Sequence, residues 1–339
     1  MQKILVTGGC GFIGSHTVVD LKDLGYSPLS IDNFSNSNKA VKPILKAMTE
    51  GTFANADVDL AGDYEVLRKI PFLKEVDAII HFAAYKAVGE SVEQPLMYFH
   101  NNMNSLLNVL RLAEEFDIKN IIFSSSCSVY GNTTSLPVNE EVPREEAESP
   151  YARTKQMGED VLMDYAKAHP DIRIIALRYF NPCGAHPSAL IGEASLNPPN
   201  NLVPVIMEVG AGKREKITIF GDDYPTRDGT CIRDYIHVMD LARAHTLAVQ
   251  YLLEGKQKEA FDIINLGSGQ GYSVTEMVNA FEATTGQELN YEYGPRRAGD
   301  VIQIYCNYTK AKAILGWEPK YGVEAIMRDA WAWEQKRTF

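Results

Sequence analysis

The residues with the clearest chemical potential are a tyrosine and a lysine four positions apart, in Tyr151-Ala152-Arg153-Thr154-Lys155. After Pro150, apolar residues recur at helical spacing, which predicts a helix with both side chains on one face. A cation held near a phenol favours the phenolate, so the pair predicts a tyrosine with a lowered pKa that can remove a proton from a hydroxyl near neutral pH. The pair alone leaves a second interpretation open, because this spacing also occurs by chance on solvated helices.

A cluster of serines favours the chemical interpretation. Ser124, Ser125 and Ser126 follow the strand-like run Ile121 to Phe123. Hydroxyls at the carboxyl end of a parallel strand lie where doubly wound sheets bind ligands. The alternative is that these serines only cap a turn.

A glycine-rich turn predicts a nucleotide site. Thr7 to Gly14 carries glycines at 8, 11 and 14, and it lies between a strand-like and a helix-like run. The alternative is an ordinary glycine-rich turn, which does not require this strand–turn–helix context. Such glycines allow a tight turn and close approach of the backbone to a pyrophosphate at a helix N-terminus. Asp32 ends the next strand, where a carboxylate accepts a ribose 2′-hydroxyl and repels a 2′-phosphate, so NAD is favoured over NADP. Asp57, after the third strand, has two interpretations: it contacts the adenine, or it is a plain turn residue.

Short apolar runs alternate with helix-length stretches along the chain. The runs are Ile4 to Val6, Leu29 to Ile31, Ala54 to Val58, Ala78 to Phe82, Asn120 to Phe123, Arg173 to Leu177 and Phe261 to Leu266. Strands that alternate with helices pair in parallel through right-handed crossovers, and nearly continuous apolar strands indicate helices on both faces of the sheet. We therefore predict an α/β protein with a Rossmann-type doubly wound parallel sheet and a smaller C-terminal α/β substrate domain.

The predicted domains are interleaved. Residues 1–180 are expected to form the NAD-binding domain, and residues 181–339 the substrate-binding domain. Asn181 to Asn201 is rich in Pro, Gly, Ser and Asn and predicts a long ordered loop at the boundary. The segment 238–266 has an α/β pattern again, and we expect it to return to the first domain.

Composition argues against several classes of function. The 339 residues include 44 Asp or Glu and 33 Lys or Arg, a net charge of −11 that repels a phosphate backbone, so nucleic acid is not an expected partner. No apolar run approaches the roughly 18 residues that cross a bilayer, and no signal-peptide pattern follows Met1, so we expect a cytoplasmic protein without a membrane partner. The five cysteines form no C-x-x-C pair, which predicts reduced thiols and no metal site.

Longer stretches resemble the extended short-chain dehydrogenase/reductases over essentially the whole chain. They are Thr7 to Gly14, His81 to Ser91, Ser124 to Gly131, Pro150 to Lys155, Arg178 to Asn181, Pro199 to Leu202 and Arg233 to Val238. Lys86 to Ser91 and Arg233 to Val238 are more specific than the glycine motif. They are most similar to the UDP-hexose 4-epimerases of that family.

The resemblance implies a role for each predicted site residue. Tyr151 is the catalytic base, Lys155 tunes it and holds the nicotinamide ribose, and Ser126 hydrogen-bonds the sugar 4-hydroxyl. Around NAD, the resemblance places Gly8, Gly11, Phe12, Ile13, Gly14, Asp32, Asn33, Asn36, Asp57, Val58, Phe82, Ala83, Ala84, Lys86, Asn101, Ser124, Tyr151, Lys155 and Tyr179. Around the UDP-sugar, it places Lys86, Ser126, Tyr151, Phe180, Asn181, Asn201, Leu202, Phe220, Arg233, Tyr235, Arg297, Asp300 and Ile304. Guanidinium groups suit the two phosphates, and Asp300 can accept from the uridine ribose.

The implied reaction is a reversible, NAD-dependent epimerisation at C4 of UDP-galactose or UDP-glucose, in galactose and nucleotide-sugar metabolism. Tyr151 takes the proton of the 4-hydroxyl while the C4 hydride passes to NAD⁺. The resulting 4-keto sugar turns over and receives the hydride on its other face. This requires tight anchoring of the nucleotide and loose contacts to the hexose.

Two other functions compete with this one. A nucleotide-sugar 4,6-dehydratase or a decarboxylase of the same superfamily shares the glycines and the Tyr-Lys pair, but a dehydratase typically has Asp-Glu where this chain has Cys127-Ser128. A non-catalytic NAD-sensing protein would tolerate loss of Tyr151, Lys155 and Ser126, and all three are present.

Three further expectations concern assembly and single side chains. Leu106 to Phe116 and Tyr151 to Ala166 carry apolar residues on more than one face, which predicts a homodimer through a four-helix interface; burial within one chain is the alternative. Cys183 is either a reactive thiol near the substrate phosphates or a buried inert one. His81 and His237 are expected to make structural hydrogen bonds.

Ile304 is predicted to line the pocket for the sugar C2 substituent. The position lies four residues after Asp300, where family likeness places a residue whose size decides whether an acetamido group fits. Ile is intermediate in size and stiff at χ1, so we expect epimerisation of UDP-N-acetylgalactosamine at lower efficiency than of UDP-galactose. A one-residue shift would instead point Tyr305 into the pocket and leave Ile304 in the core.

Overall fold

The computed structural model describes residues 1–194, 196–297 and 300–339. In chain order the strands are β1 (Lys3–Thr7), β2 (Ser27–Ile31), β3 (Ala54–Ala56), β4 (Ala78–His81), β5 (Asn120–Ser126), β6 (Arg173–Tyr179), β7 (Asn181–Cys183), β8 (Ile217–Phe220), β9 (Ile232–His237), β10 (Phe261–Leu266), β11 (Gly271–Ser273), β12 (Tyr291–Gly294) and β13 (Gln303–Ile304). The helices are α1 (Phe12–Asp23), α2 (Val41–Met48), α3 (Tyr64–Leu67), α4 (Val88–Glu93), α5 (Pro95–Glu115), α6 (Pro150–Ala168), α7 (Leu202–Gly210), α8 (Val238–Leu253), α9 (Val274–Thr285), α10 (Thr309–Leu315) and α11 (Val323–Lys336). Short 3-10 helices span Pro71–Glu75 and Cys127–Tyr130.

The main sheet has seven strands in the order β10-β6-β5-β4-β1-β2-β3, paired in parallel throughout. Strand β1 lies between β2 and β4, so Thr7 at its carboxyl end pairs with Ile31 on one side and His81 on the other. The strand order reverses there, which is where open α/β sheets bind ligands. The predicted Rossmann-type doubly wound sheet is confirmed.

Both faces of this sheet are covered, as the continuous apolar strands predict. Successive side chains of β1 alternate between two buried clusters: Ile4 and Val6 pack in one with α1 and α8, and Leu5 packs in the other with α5 and α6. All three side chains are fully buried. The sheet is therefore rigid from both sides, and its carboxyl edge is a fixed platform for the loops that follow each strand.

A second region is built around β9, which pairs with β7, β11 and β13. Strands β8 and β12 form a separate parallel pair, and α7, α9 and α11 complete an apolar core of their own. The chain at 181–183, predicted as loop, is strand β7, because its backbone pairs with Tyr235 to His237 of β9. The segment 238–266 contributes helix α8, which packs on α1, and edge strand β10 of the main sheet.

Candidate active site

A cavity of about 740 Å³ lies at the carboxyl edge of the main sheet, where the second region faces it. Every residue predicted for the cofactor or the substrate lines this one cavity, except Asp57 and Ile304. The glycine turn, Tyr151, Arg233 and Arg297 all line it. The topology thus gathers predicted residues as far apart in the chain as Gly8 and Asp300 into a single site.

The glycine turn is packed too tightly for side chains. Gly8 has a φ of 70°, and its N–H donates to the carbonyl of Ile31 at 2.8 Å. A Cβ at Gly14 would lie 2.2 Å from the carbonyl oxygen of Gly8. Within the described chain no side chain caps α1 at Gly11, so the first N–H groups of that helix are available to an anion in the cavity.

Asp32 is held at the end of β2 with its carboxylate against the glycine turn. It is 8% exposed, and it accepts from the backbone N–H of Cys10 at 2.9 Å and of Phe34 at 2.8 Å. Burial raises the pKa of this carboxyl, and the two backbone donors oppose that shift by favouring the anion. Asp32 therefore presents a fixed acceptor to the cavity.

Asp57 does not line the cavity. Strand β3 ends at Ala56, and the Asp57 carboxylate turns towards α2, where Lys42 donates to it at 2.6 Å and Lys39 lies at 3.9 Å. The hydrogen bond from Lys42 lowers the pKa of Asp57. The structure places Asp57 in a surface ion pair, and Val58 and Asp59 line the cavity beside it.

The tyrosine–lysine pair is positioned by the first turn of α6. Ser149 caps the helix by accepting from the N–H of Ala152 at 3.2 Å, so Tyr151 falls in the first turn and Lys155 one turn later. The ammonium of Lys155 is 5.8 Å from the centroid of the Tyr151 ring and donates to the carbonyl of Ser124 at 2.6 Å. The helix and β5 thus present one phenol, one ammonium and the Ser126 hydroxyl to the same part of the cavity.

The predicted lowering of the Tyr151 pKa is wrong for the chain by itself. Burial raises the pKa of Tyr151 to about 12, and its hydrogen bond with Ser126 opposes this only in part. Burial also lowers the pKa of Lys155 to about 8, against the attraction of Glu159. At Lys155, desolvation outweighs the attraction of Glu159 because the side chain is only 5% exposed. A phenolate at neutral pH requires a further positive charge in the cavity.

A carboxylate that the sequence analysis missed pairs with Lys86 behind the cavity wall, and it does not itself line the cavity. Glu193, in the loop before α7, accepts from the ammonium of Lys86 at 3.1 Å and from the amide of Asn201 at 3.4 Å. Its backbone carbonyl accepts from the indole N–H of Trp333 at 3.1 Å. Glu193 therefore connects two predicted binding residues, and its contact with Lys86 spans 107 positions, which spacing could not reveal.

The part of the cavity formed by the second region carries two guanidinium groups and one carboxylate. Arg297 donates to Asp300 at 2.7 Å, and Arg233 of β9 lies 3.5 Å from the same oxygen. The Arg297 guanidinium also lies 5.6 Å from the centroid of the Phe220 ring. Two cations against one anion leave a net positive charge, which suits a ligand that carries phosphates.

Arg214 and Lys216 also line the cavity and were not predicted. Their charges are engaged, because Arg214 pairs with Glu208 at 3.0 Å and Lys216 with Glu292 at 2.6 Å. Strand β8 brings them to the wall by pairing with β12, which a linear motif could not show.

Ile304 stands behind the cavity wall. It is 5% exposed and packs with Val129, Val138 and Phe180, of which Phe180 lines the cavity. The ring of Tyr305 lies on the other side of the strand, near Gly271. A change in the size of residue 304 can therefore reach the cavity through Phe180.

Cys183 and two histidines behave as structural residues. Cys183 lines the cavity but is 3% exposed, and burial raises the pKa of its thiol, which favours the inert interpretation. His81 hydrogen-bonds with Thr7 at 2.8 Å, and His237 with Asp329 at 3.2 Å. All five cysteines are free.

Two searches of the described residues gave negative results. The ranges 1–194, 196–297 and 300–339 contain no group of three or more His, Cys, Asp or Glu side chains arranged to hold a metal ion. Within the same ranges, the helices are too short or too polar to cross a membrane.

Comparison with known proteins agrees over the whole chain. Residues 5–330 match the family model described as GDP-mannose 4,6 dehydratase. The UDP-glucose 4-epimerase of Bacillus subtilis (strain 168) is 45% identical over 98% of this chain and 97% of its own. The chain belongs to the UDP-glucose 4-epimerase family.

Solved structures of UDP-glucose 4-epimerases superpose on the chain. The enzyme of Bifidobacterium longum, solved with NAD⁺ and UDP, has a TM-score of 0.94 at 39% identity and covers 99% of this chain and 98% of that one. The UDP-Glc/GlcNAc 4-epimerase of Campylobacter jejuni has a TM-score of 0.84 at 37% identity and covers 99% of this chain and 100% of that one. The epimerase likeness therefore includes both the glycine turn and the arginine cluster.

Proposed function

We propose that the chain catalyses the reversible epimerisation of UDP-galactose and UDP-glucose at C4 of the sugar, with tightly bound NAD. One observation carries the proposal: the Tyr151–Lys155 pair and Ser126 share one cavity with a phosphate-sized glycine turn and an arginine pair. Solved relatives of the same family contain NAD⁺ and UDP, which supports the same two occupants here. Incubation with UDP-galactose, without added reductant, should yield UDP-glucose, read by NMR.

The glycine turn fits a dinucleotide. Because a Cβ at Gly14 would overlap the Gly8 carbonyl, α1 can pack directly on the turn only with glycine there, and this packing holds the N-terminal N–H groups of α1 where a pyrophosphate would bind. The carboxylate of Asp32 would accept from the adenosine ribose and disfavour a 2′-phosphate, which selects NAD. When bound, NAD⁺ supplies the hydride acceptor and donor that no side chain provides.

Tyr151 is the base in this proposal. Its phenolate oxygen takes the proton of the sugar 4-hydroxyl, and Ser126 hydrogen-bonds the same hydroxyl. The buried pair favours the neutral phenol until positive charge enters the cavity, because desolvation dominates its pKa. The base is therefore active only when the cationic cofactor is in place, and Tyr151 returns the proton when the 4-keto sugar is reduced.

Arg233 and Arg297 are proposed to hold the two phosphates, and Asp300 the uridine ribose. Guanidinium forks match phosphate oxygens, and both arginines contact the same oxygen of Asp300. Firm anchoring at this end allows the keto sugar to turn over while it remains bound. Asn181 and Asn201, from β7 and the start of α7, line the cavity between the anchor and the base.

A 4,6-dehydratase is the competing enzyme, and the matched family model is described by that activity. Dehydration needs an acid and a base beside Tyr151, typically the Asp-Glu pair at the positions of Cys127 and Ser128. Burial raises the pKa of the Cys127 thiol to about 12, which makes it a poor acid at neutral pH. A non-catalytic NAD-binding protein is also disfavoured, because it has no need of the buried Lys155 beside Tyr151.

The proposal includes a homodimer, besides a cytoplasmic role in galactose metabolism. Helices α4, α5 and α6 pack together and expose Val92 (61%), Leu96 (82%), Leu107 (45%) and Met157 (37%). Large apolar side chains gathered on one face indicate an interface. Two such helices from each partner would form a four-helix contact.

The double variant Leu107→Glu/Met157→Glu is expected to convert the dimer to a monomer, because it would bury four charges across a symmetric interface. Light scattering at micromolar concentration measures the mass. Val66→Glu, on α3 and 51% exposed, is the matched control and should leave the mass unchanged. A wild-type protein of monomeric mass would reject the dimer.

Ile304→Tyr is expected to abolish epimerisation of UDP-N-acetylgalactosamine while UDP-galactose activity is largely kept. A larger side chain behind Phe180 would push that ring into the cavity, where the C2 substituent needs space. The measurement is kcat/KM for both substrates. Ile304→Val, which is smaller, serves as the control, and an unchanged ratio of the two kcat/KM values in the Tyr variant would contradict the assignment.

A further inference from the structure

A buried ion pair lies directly behind the proposed catalytic pair. Glu159, one helical turn beyond Lys155, is 1% exposed and receives two hydrogen bonds from Arg178, at 2.8 and 2.6 Å. Arg178, on β6, is 2% exposed. Neither residue lines the cavity, so the pair has no role in the proposed binding of cofactor or substrate.

The same carboxylate also contacts the serine strand. The Ser125 hydroxyl donates to Glu159 at 2.5 Å. Side chains alternate along β5, so Ser125 points towards α6 whereas Ser124 and Ser126 line the cavity. One side chain of α6 therefore fixes the helix to both β5 and β6 at the level of the reacting groups.

Glu159 and Lys155 are i and i+4 on one face of α6. Lys155 is almost fully buried, and its ammonium contacts the neutral carbonyl of Ser124. The titratable or charged groups around the two residues are Tyr151 on α6, His81 on β4, Tyr179 and Arg178 on β6, Tyr130 after β5 and Arg144 before α6. Burial keeps His81 neutral, with a pKa of about 3. Glu159 is the group that opposes the loss of charge from Lys155.

We propose that Glu159 is a positioning residue for the proposed reaction: its carboxylate aligns α6 with the serine strand and supplies the buried negative charge that keeps Lys155 cationic. The inference rests on the proposed role of Tyr151 and Lys155. Glu159 lies behind the cavity wall and, in this proposal, sets the pH range in which Tyr151 and Lys155 are active.

A purely structural ion pair makes different predictions. Loss of either partner would then leave one buried charge unpaired, and both losses would lower the fraction of folded enzyme alike. An electrostatic role instead predicts that the two substitutions shift the pKa of Lys155 in opposite directions. Glu159→Gln removes the anion near Lys155, whereas Arg178→Gln leaves that anion with Arg144 as its nearest remaining cation, 3.6 Å away.

The test compares the pH profiles of kcat for the NAD-loaded wild type and both variants. In Glu159→Gln, Lys155 loses its proton at lower pH, so the alkaline limb should move to lower pH by at least about one unit. At a fixed pH on that limb, this shift corresponds to a tenfold loss of kcat. In Arg178→Gln the alkaline limb should move up. Asp164→Asn, an amide substitution at an exposed carboxylate of the same helix that pairs with Lys167, should move neither limb.

A second readout needs no turnover. The ionisation of Tyr151 is followed by ultraviolet difference absorption against the Tyr151→Phe protein in each background. It should occur at lower pH in Glu159→Gln, because the substitution removes a buried anion near the phenolate while Arg178 stays cationic. Uniformly reduced profiles with unmoved limbs and an unchanged Tyr151 titration would overturn the inference. If Glu159→Gln fails to fold, an unmoved alkaline limb in Arg178→Gln would overturn the inference. A wild type that binds NAD but does not epimerise refutes the proposed function instead, and the Tyr151 titration still tests Glu159.

Discussion

Tyr151→Phe is expected to lower kcat for epimerisation by about 10²–10⁴-fold, the usual contribution of a general base. The substitution removes one hydroxyl and keeps the ring between α6 and the serine strand. NAD binding should persist, because the glycine turn and Asp32 are left unchanged. Initial rates with UDP-galactose and the NAD content of the purified protein are the two measurements.

The matched control is Tyr165→Phe, which removes a hydroxyl from the same helix. Tyr165 does not line the cavity; its ring packs on His169 at 4.1 Å between centroids. Wild-type turnover by Tyr151→Phe would remove Tyr151 from the mechanism. Equal losses in both variants would show that the helix, and not the base, had been damaged.

Gly14→Ala is expected to weaken NAD binding by about 10–100-fold, through an overpacking cost of roughly 1–3 kcal/mol. The new Cβ would lie 2.2 Å from the Gly8 carbonyl oxygen and 2.8 Å from the Gly9 Cα, both in backbone that cannot rotate away. The start of α1 must move off the turn, and the helix N–H groups move with it. Titration of the NAD-free protein with NAD⁺ measures the affinity.

Gly89→Ala controls for the added methyl group. Gly89 lies in the first turn of α4, and a Cβ there meets no atom within 4 Å. Its NAD affinity should equal that of the wild type. Unchanged affinity in Gly14→Ala would show that the turn does not hold the pyrophosphate.

Local signals made the first half of the site predictable. The glycine spacing, Asp32 and the Tyr151–Lys155 pair each depend on a strand that leads into a turn or helix, which short-range patterns encode. The end of β3 is less predictable, because Lys42 draws Asp57 out of the cavity through a contact across 15 positions. The alternation of strands and helices was sufficient to predict the fold.

Long-range contacts and burial were not predictable from spacing. Glu193 reaches Lys86 across 107 positions, and the link from Ser125 through Glu159 to Arg178 joins three separate elements. The sign of the Tyr151 pKa shift followed from desolvation, which depends on the whole fold rather than on the neighbouring lysine. The arginine cluster was reached only through the resemblance, because β9 and the loop before β13 meet in space.

The most direct test of the central claim follows the hydrogen at C4. UDP-galactose that carries deuterium at C4 is incubated with the purified protein, and UDP-glucose is examined by NMR and mass spectrometry. In the proposed reaction the hydride leaves C4 and returns to it within one cavity. The UDP-glucose should therefore retain the deuterium at C4, and NADH should not accumulate. Loss of the label to solvent, or release of NADH in proportion to the substrate consumed, would contradict it.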